Sequence, residues 1–289
     1  MFAYLFLRFL VFFFRYLPFW VVHQISIILC FLSFYLFRLR RKQIEKSLSH
    51  AFPDKNKKER ALLSWKIYLN TCDVLCETLK SYSLCQDLLQ KRVKVYGLEA
   101  LEKLSVQKKS CVIYFSHMCN WEWLVILGSR FPIKPVDVYK RIHNKRVDRY
   151  VLEKRSLSGA ELVDQSQFQR YFKNLLRKNF QNKLPRAFIF ISDHRPRASQ
   201  ESLELRFLRR KAKFVLGPEK IARKFDLETY YLKMSRVKRG FYRIDLLPLG
   251  NINPDKPIGF QTKKYVNMLE KDLKKRPSDW FWFHNRWKN

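Results

Sequence analysis

The pattern of apolar and polar positions divides the 289-residue chain into three parts. An apolar N-terminal stretch comes first. Two helical patterns follow it, separated by the turn "FPDKNKK" at 52–58, and the second keeps apolar residues at helical spacing over 63–79. From about residue 92 onward, short apolar runs typical of strands alternate with helical patterns.

The alternating part predicts a sheet with helices around it. The strand-like segments are "VKVYG", "CVIYFS", "VDVYKR", "AELVD", "RAFIFIS", "ETYYLKM" and "FYRIDLLPL". Helices are predicted for "NWEWLVILGSR", "KRVDRYVLEKRS", "QFQRYFKNLLRK", "GPEKIARKF" and the segment after Pro257. This order indicates an α/β fold with a mixed, largely parallel sheet flanked by helices. In such sheets the functional side chains lie beyond the carboxyl ends of the strands.

The N-terminal stretch predicts a membrane anchor. Residues 16–37, "YLPFWVVHQISIILCFLSFYLF", form 22 residues without a formal charge. As one helix they would extend about 33 Å, enough to cross a bilayer core. The basic "RLRRK" that follows favours a cytoplasmic location for the rest of the chain. A cleaved signal peptide fits poorly because no small-residue cleavage site follows. A buried pair of core helices and a helix pair on the membrane surface remain alternatives.

The charge of the chain indicates an anionic partner. Lysine and arginine number 58 against 25 acidic residues, a net charge of +33. Nucleic acid, anionic lipid and an acidic carrier protein would all fit. No helix-turn-helix, RNP-like, KH-like or zinc-finger pattern is present, and an uncharged 22-residue segment is foreign to nucleic-acid-binding proteins. The six cysteines lack metal-ligand spacing, so we expect reduced thiols without structural disulfides. We also expect no metal site and no cofactor.

The segment "SHMCNWEW" at 116–123 holds the candidate chemistry. Residues five apart on one helix point about 140° apart, so His117 and Glu122 can meet only if His117 lies in the turn before the helix. A carboxylate at one imidazole nitrogen fixes the tautomer and makes the other nitrogen a base. The alternative is a lone histidine near a helix start. Trp121 and Trp123 are better explained as core residues.

Five segments carry a family resemblance. "SHMCNWEW" resembles the H-x-G-N-W-E signature of the bacterial lipid A late acyltransferases, in the glycerolipid acyltransferase superfamily. The other segments match that family in order: "SLSHAFPD" (47–54), "FIFISDHRPR" (188–197), "FLRRKAKFVLGPEKIAR" (207–223) and "WFWFHNRWK" (280–288). The chain departs from the family at Cys119, where glycine is usual, and at His194, where glutamine is common. Ser47 replaces an asparagine, and a glycine near Arg209 is missing.

The resemblance implies a glycerolipid-acyltransferase-like fold and an acyl-transfer reaction. The membrane anchor would comprise residues 1–42 and the acyltransferase domain residues 43–289. A fatty acyl group would pass from an acyl carrier protein thioester to a hydroxyl of a lipid A precursor, without an acyl-enzyme. The location would be the bacterial inner membrane, with the catalytic domain on the cytoplasmic face. Another lipid acceptor, such as a lysophospholipid, an aminolipid or a glycolipid, is the alternative within this class.

The resemblance also assigns site residues. His117 would be the general base, Glu122 its orienting partner, and Asn120 or nearby backbone N–H groups the oxyanion donors. The candidate substrate-binding residues are Asp193, His194, Arg195, Arg197, Gly217, Glu219, Lys220, His284 and Arg286. For Asp193 to Arg197 the alternative is a solvated loop. For Gly217 to Lys220 it is an ordinary helix start with proline at its first position. For His284 and Arg286 it is the preference for basic residues at a helix end.

Overall fold

The computed structural model describes residues 1–126, 128–177 and 184–287. Seven strands form the main sheet: β1 Val93–Tyr96, β2 Cys111–Phe115, β3 Lys134–Tyr139, β4 Glu161–Asp164, β5 Arg186–Ile191, β8 Glu228–Lys238 and β9 Phe241–Gly250. Their order is β1-β9-β8-β2-β5-β3-β4. Every neighbouring pair is parallel except β8 and β9. The prediction of a mixed, largely parallel sheet is confirmed.

Helices cover both faces of this sheet. Their bounds are α1 Phe2–Tyr16, α2 Phe19–Phe31, α3 Arg41–Ala51, α4 Lys57–Ser81, α5 Gln86–Gln90, α6 Glu99–Val106, α7 Glu122–Ile126, α8 Lys145–Ser156, α9 Phe168–Arg177, α10 Gly217–Lys224 and α11 Phe260–Lys275. Two predicted helices include positions outside the described residues, 127 and 178.

The central strand β2 is apolar on both of its faces because helices cover both sides of the sheet. Val112 and Tyr114 join a cluster that includes residues of α10 and α11. Cys111, Ile113 and Phe115 join a second cluster, on the side of α6 and α7. Side chains alternate between the faces of a strand, so a strand buried on both sides is apolar throughout.

The sequence pattern did not predict a two-stranded antiparallel sheet. It consists of β6 Ser202–Phe207 and β7 Arg210–Val215. Leu208 and Arg209 form the turn with φ of 49° and 65°. Hairpin turns of this kind usually carry Asn-Gly, and neither residue is present here. The left-handed backbone at Arg209 explains why a glycine would suit this turn.

The predicted apolar helix is present over 19–36, slightly shorter than the predicted 16–37. α1 ends at Tyr16, and Pro18 has an extended backbone and caps α2. α2 continues as a π-helix over Leu32–Leu36. The resulting helix, Phe19–Leu36, has 18 residues and is long and apolar enough to cross a membrane, so it is a candidate anchor.

Candidate active site

His117 and Asp193 meet at the carboxyl edge of the sheet because β2 and β5 are parallel neighbours. Phe115 and Ile191 end the two strands in register, and each site residue follows two positions later. Asp193 Oδ1 lies 2.8 Å from His117 Nδ1. Asp193 Oδ2 accepts hydrogen bonds from the His117 backbone N–H at 3.0 Å and from Trp280 Nε1 at 2.6 Å. These contacts fix both the carboxylate and the imidazole ring.

The charge of Asp193 determines the tautomer of His117. Burial alone would raise the pKa of Asp193, but the neighbouring His117 and its hydrogen bond hold that pKa well below its ordinary value. An ionised carboxylate can only accept, so Nδ1 of the imidazole carries the hydrogen. In the neutral ring this leaves Nε2 with a free lone pair, which is the form that a general base needs.

The predicted pairing of His117 with Glu122 is wrong. Arg155 of α8 donates three hydrogen bonds to the Glu122 carboxylate, two at 2.7 Å and one at 3.2 Å. Asp193 takes the orienting position instead, although the sequence analysis assigned it to substrate binding. The reason is topological: the chain turns after β2, and α7 begins at Glu122, with that side chain directed toward α8. Glu122 nevertheless lines the same cavity as His117.

Asn120 does not supply an oxyanion donor from its side chain. The residue is fully buried, and its Nδ2 donates to Glu77 Oε2 at 3.0 Å. Its Oδ1 accepts a hydrogen bond from Thr78 at 3.4 Å. Asn120 therefore ties the turn after β2 to α4, and this part of the prediction is wrong.

Cys119 occupies a left-handed backbone position, with φ of 55°. This conformation costs a residue with a Cβ roughly 1–2 kcal/mol, which explains why glycine suits the position in the resembling family. Backbone contacts hold it there, since the Cys119 N–H donates to the Asp279 carbonyl at 2.7 Å. Burial raises the pKa of the Cys119 thiol well above its ordinary value, so the sulfur is a poor nucleophile.

Replacing Cys119 with alanine should therefore leave turnover close to that of the wild-type protein. The variant removes the thiol but keeps the site formed by His117 and Asp193. Steady-state acyl transfer with purified, folded protein checks this expectation. Loss of activity together with an acyl-cysteine trapped in the wild-type protein would instead favour a covalent mechanism.

Three imidazole rings stack at the site. The ring centroids of His117 and His194 lie 3.6 Å apart with an interplanar angle of 7°, and those of His194 and His284 lie 3.8 Å apart at 12°. Burial lowers the pKa of His194 to about 3 and that of His284 to about 4. Both rings are therefore neutral near pH 7. They form a flat wall that fixes the plane of His117.

The donor atoms of His117, Asp193 and His194 all lie within 4.8 Å of one another, close enough for a metal ion to be considered. Ligands of one ion must direct their lone pairs at a single point. In stacked rings the nitrogen lone pairs lie in parallel planes, so those of His117 and His194 do not converge. The geometry favours the stacked wall over a metal centre.

A cavity of about 1010 Å³ opens in front of His117. Glu122, Arg155 and Trp121 line it beside the imidazole. Apolar side chains form part of its wall, among them Phe168, Phe190 and Ile221. The predicted residues that line it are His194, Arg195, Arg197, Gly217, Lys220 and His284. Lys140, Lys173 and Lys224 add further positive charge to the lining. The cavity lining thus combines apolar side chains with several cationic ones.

Two of the predicted substrate-binding residues have structural contacts instead. Glu219 is fully buried and accepts hydrogen bonds from Gly259 and Thr262, which attach α10 to the start of α11. Arg286 is buried with its guanidinium 4.3 Å from the Phe214 ring, and it donates to the Lys213 carbonyl at 2.5 Å. These contacts hold the β6–β7 hairpin. Neither residue lines the cavity, so both assignments are corrected.

Three residues of the site were not predicted from the sequence. Arg155 lies in a helix with many basic residues, and nothing marks it out from the others. Trp280 belongs to the C-terminal segment, but its contact with Asp193 requires the fold. Asp137 lines the cavity and is buried, which raises its pKa to about 7. A carboxylate within the apolar strand "VDVY" was the one available signal.

Segments distant in the sequence converge on this site. The C-terminal segment lies against the turn after β2, where the Phe281 N–H donates to the His117 carbonyl at 3.0 Å. Trp123 is fully buried, as predicted, whereas Trp121 lines the cavity.

Lys288, at the end of the resembling segment 280–288, lies outside the described residues.

Comparison with known proteins identifies the family of this chain. The family model described as bacterial lipid A biosynthesis acyltransferase matches residues 1–289, the whole chain. A comparison with curated proteins found no match. In the structure, a histidine held by a carboxylate lines a cavity with apolar and cationic side chains. The chain therefore belongs to the bacterial lipid A biosynthesis acyltransferase family, and it is an acyltransferase.

Proposed function

We propose that this protein transfers a fatty acyl group from an acyl carrier protein thioester to a hydroxyl of a lipid A precursor. It acts at the cytoplasmic face of the bacterial inner membrane. The observation that carries the proposal is the His117–Asp193 pair, with Nδ1 held at 2.8 Å and the ring bordering the cavity. Family membership supports the reaction class.

The chemistry follows from the free lone pair on His117 Nε2. The imidazole removes the proton of the acceptor hydroxyl while the oxygen attacks the thioester carbonyl. The tetrahedral intermediate collapses and breaks the carbon–sulfur bond, and the imidazolium returns its proton to the leaving thiolate. The products are an ester and the free thiol of the carrier. Asp193 stabilises the imidazolium throughout, and no enzyme nucleophile is required.

Glu122 and Arg155 act on the substrate side of the site. Their bidentate ion pair is part of the cavity wall, close to Trp121 and Asp137. Charge-assisted bidentate pairs hold their geometry well, so the Glu122 carboxylate offers a fixed acceptor for a substrate hydroxyl. In this proposal Glu122 positions the acceptor rather than the base, and it remains a catalytic candidate in that role.

The two kinds of side chain in the cavity lining suit the two parts of a phosphorylated lipid. Phe168, Phe190 and Ile221 provide apolar surface for an acyl chain. Arg195 and Arg197 provide cations for phosphate groups and for the charge that develops on the carbonyl oxygen, whereas Lys220 is paired with Glu201 of the same lining. Gly217 places the N-terminus of α10 in the lining of the same cavity, where backbone N–H groups favour anions.

Activity with the carrier-bound donor should fall as the ionic strength rises. Acyl carrier protein is acidic, and this chain has a net charge of +33, so electrostatic attraction should speed their encounter. The Debye length shrinks from about 30 Å at 0.01 M salt to about 3 Å at 1 M salt. We expect kcat/KM for the carrier-bound donor to fall steeply, whereas an uncharged acyl-pantetheine donor should show little change. Equal salt dependence for both donors would contradict carrier docking by charge.

Lipid analysis tests the proposed acceptor. Membrane lipids from cells with and without the gene are compared by mass spectrometry, and the purified protein is supplied with acyl carrier protein and the candidate lipid. We expect lipid A species that lack one acyl chain in the deletion strain. Intact lipid A together with loss of an acyl chain from another lipid would replace the acceptor. A requirement for acyl-coenzyme A would replace the donor.

A further inference from the structure

Helix α2 and its π-helical continuation have one side buried against the protein and one side largely exposed. The buried positions recur every four residues: Val22, Ser26, Cys30 and Phe34. The opposite side is exposed at Trp20, Gln24, Ile28, Phe31 and Tyr35. This spacing means that α2 lies along the surface of the domain over its whole length.

The protein-facing side of α2 is held by charged groups. Ser26 Oγ donates to Asp73 Oδ1 at 2.5 Å, and Arg239 Nη2 lies 2.8 Å from Ser26 Oγ. Arg239 also donates to the His23 carbonyl at 3.1 Å, and His23 Nε2 lies 3.2 Å from Glu77. Asp73 and Glu77 are both fully buried. α2 therefore contributes to a polar network and does not contact its neighbours through apolar groups alone.

This network belongs to the catalytic domain. Asp73 also accepts a hydrogen bond from Arg236 of β8 at 3.0 Å, and Glu77 accepts one from Tyr242 of β9 at 2.6 Å. Near its other end α2 shares a hydrophobic cluster with residues of α4 and of the central strand. The packing is thus continuous across residue 42, where the sequence analysis divided the chain.

Cations of the domain contact both ends of α2. The Arg92 guanidinium lies 3.4 Å from the centre of the Phe19 ring, and the Arg41 guanidinium 4.7 Å from that of Phe34. An 18-residue helix is about 27 Å long, close to the thickness of a bilayer core. If α2 crossed the bilayer, α4 and the β8–β9 turn would have to enter it with Asp73, Glu77 and Arg239. Charged groups at such depth are costly.

We propose that α1 and α2 do not cross the membrane but insert side-on into its cytoplasmic leaflet, so that the protein is monotopic. The occupant of the exposed apolar face is the acyl-chain layer of that leaflet. α1 presents large apolar residues, among them Phe2 at 82% and Phe9 at 60% exposure. Its 15 residues extend only about 22 Å, too short to span. The inference deepens the proposed membrane location and rests on it, but not on the donor or the acceptor.

The side-on arrangement also connects the leaflet with the active site. Tyr4 of α1 contacts Tyr150 of α8, with ring centroids 6.1 Å apart. α8 carries Arg155, which lines the cavity beside Glu122. α1 therefore packs against the helix that supplies Arg155 to the cavity lining. A lipid acceptor can reach His117 by moving laterally from the leaflet.

Two topology measurements test the proposal in living cells and spheroplasts. A biotin-acceptor peptide is fused to the N-terminus of the full chain and exposed to the cytoplasmic biotin ligase. A second variant carries Tyr16→Cys, at the break between the helices, in a Cys85→Ser background that removes the exposed native thiol. A membrane-impermeant maleimide is then added from outside. We expect a biotinylated N-terminus, and we expect the thiol introduced at position 16 to react only after detergent is added.

Each other outcome overturns the inference in a recognisable way. An unmodified N-terminus indicates a single span with α1 outside. Labelling of the Tyr16→Cys variant from outside indicates a hairpin of two spans. Recovery of the full chain in the soluble fraction removes the membrane location itself, while acyl transfer by that soluble protein would still support the proposed reaction.

Matched charge variants identify the inserted face. Ile28→Arg places a charge on the exposed side of α2, whereas Val106→Arg places one on α6, where the side chain is 85% exposed. Binding to vesicles of mixed zwitterionic and anionic phospholipids should fall at least about tenfold for the first variant and stay unchanged for the second. Equal binding of both variants would contradict insertion of this face.

Discussion

Replacing His117 with alanine is expected to lower the turnover number by about 10²–10⁴-fold, the range that a general base contributes. The imidazole supplies the only lone pair that Asp193 orients toward the cavity. The side chain is partly exposed, and its removal leaves the Asp193–Trp280 contact in place, so the variant should fold and remain at the membrane. Acyl transfer by purified protein, with matched circular dichroism, measures the effect. Turnover near the wild-type level in a folded variant would reject the base.

The Asp193→Asn substitution is expected to have the second largest effect, a loss in turnover of roughly 10²-fold or more. Asparagine has nearly the same shape as aspartate and is neutral. Its amide can present either a donor or an acceptor to Nδ1, so the tautomer with a free Nε2 lone pair is no longer enforced. The imidazolium also loses its stabilising negative charge. The effect should appear mainly in kcat, because Asp193 is buried behind the ring.

Glu122→Gln is the matched control for that substitution. It neutralises a second carboxylate of the same site, one that contacts Arg155 rather than His117. We expect a smaller loss in kcat than for Asp193→Asn or His117→Ala, accompanied by a rise in KM for the acceptor. A larger loss in kcat for Glu122→Gln than for Asp193→Asn would restore Glu122 as the partner of the base.

The sequence was informative where a local pattern determines the structure. The apolar run 111–115 predicted β2, and the rule for parallel sheets placed His117 at its carboxyl edge. The same rule places Asp193, which follows the strand-like "RAFIFIS", at the carboxyl edge of the sheet. The order of strands was not available, however, so nothing showed that β2 and β5 are neighbours in register. Because these two strands are adjacent, the partner of the His117 imidazole is Asp193 and not Glu122, which is closer in the sequence.

The incorrect predictions concern buried polar side chains, whose hydrogen-bond partners could not be inferred from the sequence. Asn120 and Glu219 are polar residues near helix starts, where function is often found. Each instead satisfies a buried group of a distant segment: Glu77 on α4 for the first, and Thr262 on α11 for the second. No sequence pattern encodes such a pairing, because both partners come together only when the helices dock.

Two departures from the resembling family place a residue with a Cβ at a left-handed backbone position. Cys119 and Arg209 both have left-handed φ values, at or next to positions where that family has glycine. Contacts with neighbouring segments hold Cys119, and the cross-strand pairing of β6 with β7 holds the turn at Arg209. A residue with a Cβ is tolerated there because the surrounding structure compensates for its cost.

The measurement that most directly tests the central claim is a double-mutant comparison of single-turnover acyl transfer. The rates of His117→Ala, of His117→Ala with Asp193→Asn, and of His117→Ala with Glu122→Gln are determined with saturating donor. If Asp193 acts only through His117, its substitution has no further effect once the imidazole is gone, whereas Glu122→Gln still lowers the residual rate. A further loss from Asp193→Asn, with none from Glu122→Gln, would show that Glu122 is the partner of His117 and would contradict the account.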